Sequence, residues 1–234
     1  MLVETLQSRL QLQYDLAIPY QVEHFVSHDA ELAQHLASET GATDGANPDT
    51  GDHHTADMTE ETIFISQSDD SLEFTLYLDQ DVLSLANEHT QTDDKGALYA
   101  YDQGSIDSLC TVVEGVSHAV CLLWHAHHDR QLRALDMELQ AEVDKYMLLL
   151  ESCSDPLSRD QLHRQLFRNV RYTAPVGSTL YERYKTAGDF AATYCHWLVQ
   201  EFSGPGDQRS LHQELARFYR LSGTAKFDRI RRLH

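Results

Sequence analysis

Glu114, His118, Cys121 and His125 recur at spacings of four, three and four along one apolar stretch, residues 106–127. At 100° per residue, that spacing places them in a single stripe if the stretch is helical. A carboxylate and an imidazole one turn apart can share a proton or hold a cation. Carboxylate oxygens with neutral imidazole suit Fe, Mn or Zn. Downstream, Glu138 and Glu142 again stand four apart. A tight turn around residues 128–131 would set the two segments side by side, and facing helices supply such ligands to a metal in a bundle core. Glu114, His118, Glu138 and Glu142 are therefore the candidate metal ligands. Later segments could add Asp160 and His163, or Asp189 and His196.

A purely structural account competes with this one. It makes Glu114 and His118 a hydrogen-bonded pair within one helix, leaves Glu138 and Glu142 in solvent, and pairs Glu142 with Lys145. Carboxylate-bridged dimetal bundles duplicate a Glu-x-x-His motif. None occurs here, and Asp160-x-x-His163 is a lone shorter variant. The zinc-protease pattern, the hydrolase nucleophile elbow, the dinucleotide fingerprint and the phosphate loop are all absent. The tract His125–Arg130 has a metal-binding composition, but imidazoles also gather at helix C-termini, where the dipole favours them. His53 and His54 read as solvated loop residues. Cys110, Cys121, Cys153 and Cys195 form no C-x-x-C pair and sit in apolar stretches, as reduced, buried thiols do.

The elements that must position these groups follow from periodicity. Leu2, Leu6 and Leu10 mark an opening helix. Residues 20–27 alternate as a short strand, and Asp29 is placed to cap a helix after it. Residues 38–60 lack large apolar side chains except Met58 and read as a flexible loop. Residues 62–66 and 72–78 alternate as a hairpin. A short helix and a polar loop over 87–97 follow. From about residue 105 the pattern turns helical: 106–127, 131–151, 156–171, 180–202 and 208–221, then a short basic segment. Asp155 with Pro156, and Thr179 with Glu182, carry helix-start signals. Strands first and helices later argue for an α+β fold: a small antiparallel N-terminal sheet followed by a bundle of about five helices. The expected division is an acidic layer over 1–104 and a helical bundle over 105–234, packed as one unit.

Composition bounds the function. With 41% hydrophobic and 24% charged residues, 234 residues are enough to build a core. The net charge of −19 is uneven: residues 1–110 hold 22 acidic side chains against Arg9 and Lys95. Such a surface repels nucleic-acid phosphates and anionic membranes and favours basic partners. Arg217, Arg220, Lys226, Arg229, Arg231 and Arg232 near the other end are expected to fold onto the acidic half. No basic segment followed by an apolar one opens the chain, so the expected location is the cytoplasm. The leading expectation is a binding or regulatory module that acts through protein contacts and needs no cofactor. The alternative is a helix-bundle metalloenzyme, oxidoreductase or hydrolase, holding Fe, Mn or Zn on the four residues named above.

Overall fold

The computed structural model describes residues 1–40, 59–67, 71–92, 98–100, 103–153, 156–170, 172–204 and 206–233. Its first helix, α1 (Leu2–Tyr14), buries Leu2, Leu6 and Leu10 as their spacing requires. The strand expected at 20–27 is mostly a 3-10 turn, Val22–Phe25, followed by the two-residue β1 (Val26–Ser27). The reason lies on α1. Gln7 Oε1 accepts the Val22 N–H at 2.8 Å, and Gln7 Nε2 donates to the Tyr20 carbonyl at 2.7 Å. Backbone groups satisfied by a side chain need no strand partner.

Asp29 caps α2 (Ala30–Thr40), accepting the N–H groups of Glu31 and Leu32 at 2.9 and 3.0 Å. Residues 38–40 of the expected loop therefore belong to this helix. Residues 41–58, with His53 and His54, lie outside the described residues. The hairpin β2 (Glu61–Gln67) and β3 (Leu72–Leu78) forms with Ile63 opposite Leu76. β1 joins the other side of β3 in parallel, so the three-stranded sheet is mixed, with order β1-β3-β2, and not antiparallel throughout. α2 and β2 supply the long crossover that a parallel pair needs.

α3 (Gln80–His89) is capped by Asp79. The expected polar loop at 87–97 holds the end of α3 and β4 (Thr90–Thr92), which pairs with β5 (Leu98–Ala100). Residues 93–97 lie outside the described residues. Six helices follow among the described residues, not five: α4 (Gln103–His127), α5 (Ala134–Leu150), α6 (Pro156–Phe167), α7 (Thr179–Glu201), α8 (Gln208–Tyr219) and α9 (Thr224–Arg231). Gly223, at a φ of 62°, breaks the chain and lets the basic segment form a helix of its own. Ser178 caps α7, where Thr179 was the expected cap; its Oγ accepts the Tyr181 N–H at 3.1 Å. Asp155 lies outside the described residues.

α4 is the central element, packed against α1, α3, α5 and the sheet. It is long and apolar enough to cross a membrane, yet most of that span is buried inside the fold. Leu109, Val112, Val113, Val116, Val120 and Leu123 join one core that runs from Leu2 to Ile230. A smaller cluster, Ala33, Phe64 and Tyr77, seals α2 onto the hairpin. The basic end does not lie mainly on the acidic half. Arg229 stacks over Trp197 at 4.9 Å and pairs with Glu214 at 3.0 Å, and Arg231 stacks over Phe190 at 5.3 Å. Aromatic faces of the helical half thus take up these cations. Arg220 does reach across, donating to the Tyr14 and Asp15 carbonyls at the end of α1 at 2.9 and 2.6 Å.

Candidate metal centre

Glu114 and His118 stand one turn apart on α4, and Gly115 lets the sheet come close to them. A Cβ at position 115 would lie 2.9 Å from Glu61 Cγ and 3.0 and 3.1 Å from methyl carbons of Leu78 and Leu76. Only a residue without a side chain admits that approach. The start of β2 therefore lies against α4, with Glu61 Oε1 3.3 Å from His118 Nδ1. From the other side, α5 brings Glu138 Oε2 to 3.3 Å from His118 Nε2. One ligand atom from each of Glu114, His118 and Glu138 lies within 4.8 Å of the others.

The imidazole is deeply enclosed, its side chain only 5% exposed. Its two nitrogens differ. Nδ1 is hydrogen-bonded to Glu61. Nε2 has no hydrogen bond, because Glu138 lies within ion-pair reach but off the direction of the bond. A buried polar atom left in that state is uncommon and calls for an explanation. Burial alone would pull the His118 pKa down, but Glu61 and Glu138 outweigh it and hold the pKa well above the usual value. Burial likewise raises the Glu61 carboxyl, against the opposing pull of His118.

A second shell of charge surrounds this group. Lys145 Nζ donates to Glu114 Oε2 at 2.8 Å and to Glu142 Oε1 at 2.7 Å. Arg183, from α7, stands 3.9 Å from Glu138 Oε1. Burial would raise Glu114, but Lys145 and then His118 override it and hold that carboxyl low. Burial raises Glu142 despite its lysine partner. Cys110 lies close enough to feel Lys145, and burial pushes its thiol up to about 12; it is not among the residues whose ligand atoms meet at His118.

Three of the four expected ligands thus meet. Glu142 stands apart in the pair with Lys145 that the structural account anticipated, whereas Glu138 is buried and not in solvent. Cys121 and His125 do not join His118 either. His125 Nδ1 donates to the Cys121 carbonyl at 2.8 Å, and His128 Nδ1 to the Trp124 carbonyl at 2.8 Å, which is helix-end use of imidazole. His163 Nε2 donates to the Ala192 carbonyl at 2.9 Å, and Asp189 pairs with Lys185 at 2.6 Å. Asp160 and His196 likewise take no part in any ligand group among the described residues. The sequence reading missed Glu61 and Arg183. The glycine inside EGVSH, a helix breaker kept in the middle of an apolar helix, was the one available signal of a close approach.

The same two helices carry a second buried polar group, one turn removed. Asp144 accepts hydrogen bonds from Tyr14, from Ser117 Oγ at 2.5 Å and from Gln140 Nε2 at 2.9 Å. Gln140 Oε1 in turn accepts from Lys226 Nζ at 2.7 Å, and that lysine lies near the faces of Phe218 and Tyr219. Burial raises the Asp144 carboxyl to about 6, against the pull of its hydrogen bonds, and burial lowers Lys226.

No protein-family model matches the chain, and no curated protein or solved structure does so.

Proposed function

We propose that this protein is a helix-bundle metalloprotein that holds one divalent cation on Glu114, His118 and Glu138. The observation that carries this reading is the buried His118, whose Nε2 has no hydrogen bond and lies 3.3 Å from Glu138 Oε2, with Glu114 in the same ligand group. Charge supports it. With His118 neutral, as a metal ligand must be, Glu61, Glu114, Glu138 and Glu142 stand against Lys145 and Arg183, a surplus of two negative charges that one divalent ion cancels. Glu61 on Nδ1 is the partner that a metal-bound imidazole ordinarily has, a carboxylate that fixes the ring and the tautomer.

Three protein ligands leave coordination positions open, which is the pattern of catalytic rather than structural sites. A single trio among the described residues favours one ion over a pair, and so activation of water or a carbonyl over two-metal oxidation. Imidazole with two carboxylates suits Zn, Mn or Fe.

Elemental analysis of untagged protein purified without chelator tests the reading. Stoichiometric Zn, Mn or Fe is expected in the wild type, and little in His118→Ala. Metal well below one equivalent after reconstitution, or equal content in both proteins, would remove it. Those results would leave the acidic surface and its protein contacts as the better account of function.

A further inference from the structure

Arg183 lies on the wrong face of its helix for an ordinary surface arginine. Ala187, Ala191, Tyr194 and Leu198 form the buried stripe of α7, and Arg183 precedes it by one turn in the same phase. Arginine on such a face normally uses its planar fork to satisfy several acceptors. Others in this chain do so. Arg133 grips both oxygens of Asp136 at 2.8 and 2.9 Å, and Arg220 reaches three carbonyls. Among the described residues, Arg183 makes one long ion pair, 3.9 Å, and no hydrogen bond.

Its place relative to the imidazole gives that free fork a use. Glu138 divides its carboxylate: Oε2 faces His118 and Oε1 faces Arg183. The guanidinium therefore stands one carboxylate width beyond the ligand nitrogen. Its side chain is 34% exposed and that of Glu114 28%, whereas those of His118 and Glu138 are nearly closed off, so the group opens to solvent on the side of Arg183 and Glu114. Glu138 with Oε2 on a cation would offer Arg183 little more than it has now. A second oxyanion, arriving from solvent, could bridge the cation and the fork.

Resting on the metal reading above, we propose that Arg183 anchors the oxyanion group of the substrate, a carboxylate or a phosphate, with one oxygen on the cation and the others on the guanidinium. A fork-to-oxyanion contact is bidentate and charge-assisted, which makes it both strong and directional. Arg183 is then the specificity-determining residue of the centre.

The test is calorimetric titration of full-length, metal-reconstituted protein with inorganic phosphate and, separately, with acetate. Saturable binding of one or both anions is expected. Arg183→Gln should weaken it about tenfold or more while metal content stays at the wild-type level, and Arg183→Lys should restore part of it. Phosphate binding without acetate binding identifies a phosphoryl substrate, and the reverse a carboxylate. Two results would overturn the proposal: neither anion binds the loaded wild type, or Arg183→Gln binds both as the wild type does. If the wild type takes up no metal, the metal reading fails by itself. Phosphate binding to that metal-free protein that Arg183→Gln abolishes would then still support the arginine anchor, and its absence would remove the anchor too.

Discussion

Two buried polar groups share α4 and α5, and they are built on opposite plans. Around Asp144, every member has a partner: the carboxylate takes three hydrogen bonds, and Gln140 accepts a fourth from Lys226. The result ties α1, α4, α5 and α9 together. Around His118, three carboxylates, those of Glu61, Glu114 and Glu138, crowd one imidazole, and Nε2 is left without a hydrogen bond. Ser117 and His118 are neighbours in the chain, yet one closes the first group and the other leaves the second open. A satisfied network specifies structure, and a half-satisfied one costs stability unless something else completes it. Burial does not separate the two groups; their hydrogen bonds do.

That contrast can be broken at several points. The largest effect is expected from Asp144→Ala, which strands three donors and Lys226 and should cost on the order of 3–5 kcal/mol in chemical denaturation. A loss below about 1 kcal/mol would mean the Asp144 group is no more structural than the other.

Next comes pH. Asp144 binds its proton more tightly folded, at about 6, than at its ordinary 3.8. The stability it contributes is therefore complete below about pH 4 and is lost as pH rises to about 6, a span of roughly 3 kcal/mol. Lys226, with its pKa lowered, acts in the other sense. Comparing wild type with Asp144→Asn across pH 3.5–7 isolates the carboxyl; parallel curves would refute the assignment.

The metal effect is of similar size. At a hundredfold excess of free metal over Kd, the wild type should gain about 2.7 kcal/mol, and His118→Ala should gain nothing. A gain shared by both proteins would place the cation elsewhere.

The smallest stability change is expected from Gly115→Ala. Crowding against Glu61, Leu76 and Leu78 opposes a helix-propensity gain of about 1 kcal/mol, so stability should move little. Metal affinity should nonetheless fall about 10- to 100-fold as Glu61 is pushed off the imidazole. Unchanged affinity would show that Glu61 is not part of the centre.

How much of this could be read beforehand depended on how local each signal was. The Glu114–His118 pair and the buried face of α4 follow from periodicity within one helix. Glu138 and Glu142 differ by only about 40° in helical phase, so periodicity cannot choose between them. The choice rests on the axial offset between α4 and α5, which is a tertiary quantity. Glu61 lies 57 residues from His118, on a strand whose approach is set by one glycine. The parallel pairing of β1 was hidden for the same reason: alternation reveals a strand, not its neighbour. The expectation for the basic end failed because net charge carries no geometry, and nearby Trp197 and Phe190 were better partners than distant carboxylates.

The missing side chain at Gly115 has a chemical consequence as well as a spatial one. At that point the bare main chain of α4 meets the side chains of Glu61, Leu76 and Leu78, and any side chain added there would press on Glu61, which holds the imidazole N–H. A firmer hold makes the ring a better electron donor, and a better donor makes a bound cation a weaker Lewis acid. If the proposed cation binds, the acidity of water on it would depend on the bare backbone at position 115. A lineage could retune the chemistry by one methyl group while leaving every ligand in place.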